Sequence, residues 1–119
     1  MNKKKILFII RHSPYGNLLA REGLDAILAA SVYEQQLSVL FLDDGVFQLA
    51  IKQTTTIEQK NLSKLLSAFS LYDINAIFIC QSSLHRRGLD EIDLCIAAKP
   101  LNTDEIQQLM KQQDQLISF

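Results

Sequence analysis

Short apolar runs alternate with amphipathic stretches along the chain. Five of the apolar runs have the length of strands, and runs of this kind are typical of strands buried on both faces of a sheet. They cover residues Ile6–Ile10, Leu37–Leu42, Ala76–Cys80, Ile92–Ala97 and Leu116–Phe119. Pro100 is predicted to close the segment that holds the fourth run.

Apolar residues at helical spacing predict helices between these runs. The first helix is predicted over roughly Leu18–Gln35, with Val32 on its apolar face. A polar, threonine-rich surface loop is predicted at 52–60, after which Asn61 caps the next helix. Asn102 begins a helix start signal before the final amphipathic stretch.

Strands that alternate with helices predict an α/β fold. We expect a single small three-layer domain over 1–119, with a mostly parallel five-stranded sheet and helices on both faces, in a flavodoxin-like layering. The length of 119 residues suits one domain with one core. In such sheets ligands gather at the carboxyl ends of the strands.

The charge and composition narrow the function classes. A net charge of −1 leaves no basic surplus to neutralise phosphates, so we do not expect direct binding to nucleic acid. The first apolar run ends at Arg11 and is too short for a signal sequence or a membrane span. The chain is therefore predicted to be cytoplasmic, with both cysteines reduced. The sequence has no metal-binding spacing and no phosphate-loop motif, so neither a metal nor a cofactor is expected.

Three places follow predicted strands and are candidate sites. The loop His12–Asn17 holds one glycine, a weak match to a phosphate-binding loop, and is better interpreted as a packed loop. Asp43 and Asp44 precede Gly45. This pair can bind Mg²⁺ or act in acid–base chemistry, but a cap and a tight turn fit the same residues and are favoured.

Cys80 is the third place, at the end of a predicted strand and before a stretch that can start a helical turn. Unpaired helix N–H groups, with His85, Arg86 and Arg87 nearby, would favour its thiolate. The alternative is that Cys80 is a small buried apolar residue, and the sequence taken by itself favours this packing role. Cys95 lies within the predicted fourth strand, where packing is the expected role.

Four stretches of the chain resemble the DsrE/DsrF-like sulfur-relay family, in the same order and over nearly the whole length. They are HSPYGNLLAREGLDAILAAS, FLDDGVFQL, LYDINAIFICQSSLHRRGLD and the ending LISF. The resemblance implies a subunit of a cytoplasmic hetero-oligomer that relays persulfide sulfur toward the 2-thiouridine of tRNA. The implied partners are TusB-like and TusD-like subunits in a heterohexamer, with TusA-like and TusE-like sulfur carriers acting through the complex.

Within this family the sulfur-carrying cysteine is expected in the TusD-like partner, so the resemblance implies a non-catalytic, assembly role here. Cys80 matches the position of that thiol, which keeps open a sulfurtransferase that carries persulfide on Cys80 itself. A role in sulfur oxidation and a small-ligand binding module also remain as alternatives. The predicted interface residues are Arg21, Glu22, Asp25, Phe47 and Leu49, the last two as core or interface anchors.

Overall fold

The computed structural model describes residues 4–13, 19–33, 36–50, 57–90 and 94–119, with the backbone alone for 19, 20 and 57–63. Within these ranges five strands form one sheet in which every pairing is parallel. The strands are β1 (Lys5–Ile10), β2 (Gln36–Phe41), β3 (Ile77–Cys80), β4 (Lys99–Leu101) and β5 (Gln115–Ser118). Their order across the sheet is β4-β3-β2-β1-β5.

Helices connect the strands and form a layer on each face of the sheet. They are α1 (Leu19–Ala30), a 3₁₀ helix (Asp43–Leu49), α2 (Ile57–Leu71), α3 (Gln81–Arg86) and α4 (Thr103–Lys111). Because β1 to β4 lie side by side in chain order, right-handed connections place α1, α2 and α3 on the same face. The connection from β4 to β5 returns across the whole sheet, which places α4 on the opposite face.

The core divides between the two faces in the way this topology requires. On the first face, Leu24 and Ile27 of α1 pack with Leu66 of α2 and Leu84 of α3 against alternate strand residues. On the second face, Ile106 of α4 packs over a smaller cluster. The predicted class is confirmed: the protein is a three-layer α/β domain with a five-stranded parallel sheet.

Both long helices differ in extent from the predictions. Helix α1 ends at Ala30 rather than near residue 35, so Val32 lies beyond it and is 71% exposed instead of packing in the core. Helix α2 begins at Ile57, so Asn61 lies inside the helix and does not cap it. Residues 52–56 of the predicted loop lie outside the described residues, whereas 57–60 form the start of α2 and not a loop.

The fourth strand was predicted in the wrong place. Its apolar run contributes an antiparallel bridge between Leu94 and Ala50, and the Cys95 amide donates to the Leu49 carbonyl over 2.7 Å. The strand that pairs with β3 is Lys99–Leu101, so Pro100 lies inside β4 rather than ending it. Proline suits this position because β4 is an edge strand, and the outer side of an edge strand has no neighbouring strand to which an N–H group must donate.

Helix α4 begins as predicted. The Asn102 side chain accepts a hydrogen bond from the Glu105 amide over 2.9 Å, and the Glu105 carboxylate accepts one from the Asn102 amide over 3.1 Å. This reciprocal capping box provides acceptors for the backbone N–H groups of Asn102 and Glu105, which have no acceptor within the helix. Among the helices the structure describes, none is long and apolar enough to cross a bilayer.

Candidate functional site

The carboxyl edge of the sheet brings together the three predicted places. The residues that follow β1, β2 and β3 lie here, because these strands are parallel neighbours. They include His12, the aspartates Asp43 and Asp44, and Cys80 with the start of α3. Residues 14–18 of the first loop lie outside the described part of the chain.

Gly45 lets the turn after β2 pack directly on the end of β1. A Cβ atom on Gly45 would lie 2.7 Å from the Ile10 carbonyl carbon and closer still to its oxygen. That oxygen already accepts a hydrogen bond from the Leu42 amide over 2.9 Å. Asp43 adopts a left-handed backbone with a φ of 53°, a conformation that aspartate tolerates better than most residues. The turn therefore needs glycine for a close backbone approach.

Asp43 links three elements at this edge. Its carboxylate accepts from Arg11, with Nε at 3.1 Å and the terminal nitrogen at 3.0 Å from the same oxygen. Its backbone amide donates to the hydroxyl of Ser83 over 3.0 Å. Ser83 is only 4% exposed, so its hydroxyl gives the part-buried Asp43 amide an acceptor within the protein. The contacts join the end of β1, the 3₁₀ helix and α3.

Asp44 makes the matching contact with Arg87. The Asp44 carboxylate accepts from Arg87 Nε over 2.9 Å, and a terminal nitrogen of Arg87 donates to the Ser83 carbonyl over 3.2 Å. The Arg87 side chain is 22% exposed, against 55% for Arg11. We call Arg11, Asp43, Asp44, Ser83 and Arg87 the edge network.

The edge network favours the structural interpretation of the aspartate pair. Each carboxylate pairs with an arginine, and the guanidinium supplies the positive charge that a metal ion would otherwise provide. Within the described ranges no three histidine, cysteine or acidic residues are grouped as metal ligands would be. The sequence indicated a turn here, but it did not reveal Arg11 or Ser83 as partners. Each lies at least 32 positions from Asp43 along the chain, and no local pattern reports such a pairing.

Cys80 faces the other side of the sheet. It is 7% exposed and belongs to the apolar cluster of the α4 face, with Leu7, Ile9, Leu40, Leu101 and Ile106. It precedes α3, but its side chain makes no capping hydrogen bond to that helix. His85 and Arg86 lie in the last turn of α3, at the end away from Cys80, and Arg87 is held by Asp44. The described contacts of Cys80 are therefore those of a packed apolar side chain.

Cys95 differs from its predicted setting. It lies outside every strand of the sheet and the residue as a whole is exposed. Partial burial of the sulfur nevertheless raises the pKa of the Cys95 thiol, and a backbone hydrogen bond offsets this only in part. A raised pKa lowers the thiolate fraction near neutral pH, so Cys95 lacks the activation expected of a reactive cysteine.

The predicted interface residues separate into exposed and buried ones. Arg21, Glu22 and Asp25 are exposed on α1, and Arg21 and Asp25 lie 3.7 Å apart as an ion pair. Phe47 is half-buried, whereas Leu49 is fully buried in the core. Leu49 therefore has no surface to offer a partner in this conformation, and its role is that of a core anchor.

The first loop contributes a further buried polar contact. Gln48 is 6% exposed, and its side-chain amide donates to the His12 carbonyl over 2.8 Å. Its side-chain oxygen has no hydrogen-bond partner among the described residues. This contact ties the 3₁₀ helix to the loop after β1 and was not predicted from the sequence.

The chain can be assigned to a known family of α/β proteins. The model of the DsrE/DsrF-like family matches residues 4–119, so the chain belongs to that family. Two further comparisons agree with this assignment. The chain is 39% identical over 116 residues to the Protein TusC homolog of Vibrio parahaemolyticus, which covers 97% of this chain and 98% of the relative. It is 40% identical, with the same coverage, to the Protein TusC homolog of Vibrio vulnificus.

Among solved structures, the crystal structure of the ychN protein from E. coli superposes with a TM-score of 0.83. It covers 98% of this chain and 99% of that chain, at 19% sequence identity. At 19% identity this similarity shows a shared fold and carries no information on function. The resemblance noted from the sequence, to the DsrE/DsrF-like family, is thus confirmed.

Proposed function

We propose that this protein is a TusC-like subunit of a cytoplasmic sulfur-relay complex of the TusBCD kind. In this role it positions a TusD-like partner, which carries the persulfide sulfur that is passed on toward 2-thiolation of the wobble uridine in tRNA. The observation that carries the proposal is the similarity to Protein TusC homologs, which extends over 97% of the chain.

The environment of Cys80 supports an assembly role over a sulfur-carrying one. Persulfide transfer requires a thiolate that reaches the sulfur of another protein, so the transferring cysteine must be accessible. Cys80 is 7% exposed among apolar side chains, and α4 covers its face of the sheet. A thiol in this setting is poorly placed to accept or donate sulfur.

A second candidate is a sulfurtransferase subunit that carries persulfide on Cys80. One observation favours it: Cys80 is the last residue of β3, at the carboxyl edge where α/β proteins place reactive groups. This alternative requires that the covering side chains move away from the thiol. A role in sulfur oxidation is compatible with the same family membership and differs only in the fate of the sulfur.

The deciding experiment replaces Cys80 in cells whose own copy of the gene is deleted. Cys80→Ser and Cys80→Ala are expressed, and the 2-thiouridine content of tRNA is measured by mass spectrometry of nucleosides. We expect normal thiolation with both variants, because the partner carries the sulfur. Cys95→Ser is the matched control for loss of a thiol.

Other outcomes are equally informative. If thiolation is lost while the variants still assemble with the partner subunits, Cys80 carries sulfur and the assembly role is wrong. If deletion of the whole gene leaves thiolation unchanged, the role in tRNA modification is wrong, and the fate of sulfur in oxidation should be measured instead.

A further inference from the structure

Strand β5 is one of the two edge strands of the described sheet, and it lacks the features that protect the other one. An edge strand presents unpaired N–H and C=O groups to which another chain can bind, and proteins often block this pairing with lysine or proline. The opposite edge strand, β4, contains both Lys99 and Pro100. Strand β5 has the sequence QLIS, with no charged residue and no proline.

The hydrogen bonds to β1 show which backbone groups of β5 point outward. The Phe119 amide donates to the Ile9 carbonyl over 2.8 Å, and the Phe119 carbonyl accepts from the Arg11 amide over 2.6 Å. Every second residue of a strand in a parallel pair bonds to the same neighbour, so Ile117 also faces β1. The residues that alternate with these are Leu116 and Ser118, and each directs one N–H and one C=O away from β1.

The side chains beside this edge leave it accessible. Leu116 pairs with Leu7 and so lies on the α4 face of the sheet, where it is 48% exposed. Ser118 lies on the same face and is also exposed. Ile117 points to the opposite face and packs partly against the core. A second strand can therefore approach β5 without displacing any helix that the structure describes.

Two copies of this chain can pair through β5 about a twofold axis perpendicular to the sheet. The two strands then run antiparallel, and residues opposite each other lie on the same face. A register centred on Ile117 sets Leu116 opposite Ser118 of the second copy, so that all four outward groups of each copy gain a partner. A register centred on Leu116 would set Ser118 opposite Asp114, whose amide already donates to the Lys5 carbonyl over 2.8 Å. That register leaves the Ser118 carbonyl without a donor, so the one centred on Ile117 is favoured.

The favoured register also brings compatible side chains together. The two copies of Ile117 meet as a β-branched pair on one face of the joined sheet. On the other face the two copies of Leu116 are diagonal neighbours, about 7–8 Å apart. No like charges meet between the strands, because Gln115–Ser118 is uncharged.

The charged side chains at the two ends of β5 fit the same arrangement, because antiparallel pairing sets the amino end of one strand beside the carboxyl end of the other. The described charged residues at the amino end have a positive surplus: Lys4, Lys5, Lys111 and Asp114. Those at the carboxyl end have no such surplus: Arg11 with its ion-pair partner Asp43, and Glu22 beside the glycine that packs against Phe119. The positive end of one copy therefore does not meet the positive end of the other.

We infer that β5 is a self-association surface, at which a second copy of this chain adds its own β5 in antiparallel register to make one continuous sheet. The partner is a second copy because the outward groups, the apolar side chains and the end charges of this strand are complementary to themselves. The inference goes beyond the proposed function and does not depend on it, because it concerns a contact between two identical chains.

The test measures self-association of the purified full chain by analytical ultracentrifugation over a range of concentrations, and we expect a monomer–dimer equilibrium. Leu116→Lys and Leu116→Glu should each raise the Kd for self-association at least about tenfold, because like charges become diagonal neighbours. An equimolar mixture of the two variants should recover the dimer, and added salt should weaken that recovery. Circular dichroism checks that each variant folds, as expected for a half-exposed side chain.

A second variant tests the backbone pairing itself. Ser118→Pro removes one outward N–H and leaves the hydrogen bonds between β5 and β1 in place, so it should also weaken the dimer. Leu71→Lys is the matched control, since Leu71 is an exposed leucine, 84% exposed, at the end of α2 and away from β5. It should self-associate like the unmodified chain.

Three results overturn the inference. One is an unmodified chain that stays monomeric, and another is a Leu116→Lys variant that dimerises as tightly as Leu71→Lys. The third is a mixture of the lysine and glutamate variants that recovers no dimer. If the chain is monomeric and Leu116→Lys instead weakens its binding to a TusB-like or TusD-like subunit, β5 serves a different partner, and the proposed function stands without this inference.

Discussion

Replacement of Gly45 by alanine tests how closely the turn after β2 packs against β1. The new Cβ would meet the backbone carbonyl of Ile10, at 2.7 Å from the carbon and less from the oxygen. A flexible side chain could move aside, but this carbonyl belongs to β1, which is paired with a strand on each side. The turn must therefore shift away from the strand.

The expected cost follows from two contributions. Forcing extra volume into a packed site destabilises a protein by about 1–3 kcal/mol. The shift also weakens the hydrogen bond from the Leu42 amide to Ile10, 2.9 Å long, which is worth about 1 kcal/mol. Alanine also lowers the conformational entropy of the unfolded chain relative to glycine, which offsets the loss in the free energy of unfolding by roughly 0.5 kcal/mol. We expect a net loss of about 1.5–3.5 kcal/mol in the free energy of unfolding, or a Tm lower by roughly 6–14 °C.

Chemical denaturation followed by circular dichroism measures this loss, with an unchanged m-value as the sign that only stability has altered. Gly88→Ala is the matched control. Gly88 has a positive φ of 68°, but apart from its two chain neighbours no atom of the described residues lies within 4 Å of the Cβ that alanine would add. Gly88→Ala should lower the free energy of unfolding by about 1 kcal/mol, because alanine is strained at a positive φ. If Gly45→Ala costs no more than Gly88→Ala, the close approach to β1 does not limit the turn.

Three further predictions concern the edge network, the last helix and the thiols. Ser83→Ala should cost about 1–3 kcal/mol in the free energy of unfolding, because the Asp43 amide loses its acceptor at a part-buried site. Asn102→Ala should cost about 1 kcal/mol by the same measurement, because it removes the capping box of α4. A thiol reagent should label Cys95 in the native protein but Cys80 only after unfolding. The rate at Cys95 should keep rising above the pH at which an ordinary thiol is half-ionised, because its pKa is raised.

Controls make these three results specific. Ser70→Ala removes an exposed hydroxyl that donates to the Ser67 carbonyl of its own helix, and should lower the free energy of unfolding far less than Ser83→Ala. If the two serine variants have equal stability, the Ser83 contact contributes little. Thr103→Ala, next to Asn102 but outside the capping hydrogen bonds, is the control for α4. Rapid labelling of Cys80 in folded Cys95→Ser protein would contradict the burial of Cys80 and favour the sulfur-carrying alternative.

Much of the fold was predictable because its signals are local. The apolar run at Ile6–Ile10 forms β1, and the capping residues at Asn102 begin α4 as expected. The alternation of strands and helices indicated a parallel sheet. The prediction failed for the fourth strand, where Ile92–Ala97 is the more apolar of two neighbouring segments. Hydrophobicity shows that a segment tends to be buried, but it does not show which backbone it will pair with.

The candidate site was only partly predictable, for a related reason. The sequence identified the aspartate turn and Cys80 as residues at the ends of strands. Whether the Asp43 carboxylate binds a metal ion or pairs with Arg11 depends on a contact between positions 32 residues apart. The spacing that predicts a helix start for Asn102 operates within four residues, whereas no comparable rule joins Asp43 to Arg11 or Ser83.

The order of apolar runs, caps and turn residues was enough to specify a three-layer α/β domain, because each of these features acts through neighbours in the chain. The strand order, the pairing of Lys99–Leu101 with β3 and the edge network arose only when distant segments packed together. The same is true of Cys80. Its position at the end of a strand was evident from the residues around it, but its burial came from an apolar cluster of distant residues that includes Ile106 of α4, on the far face of the sheet.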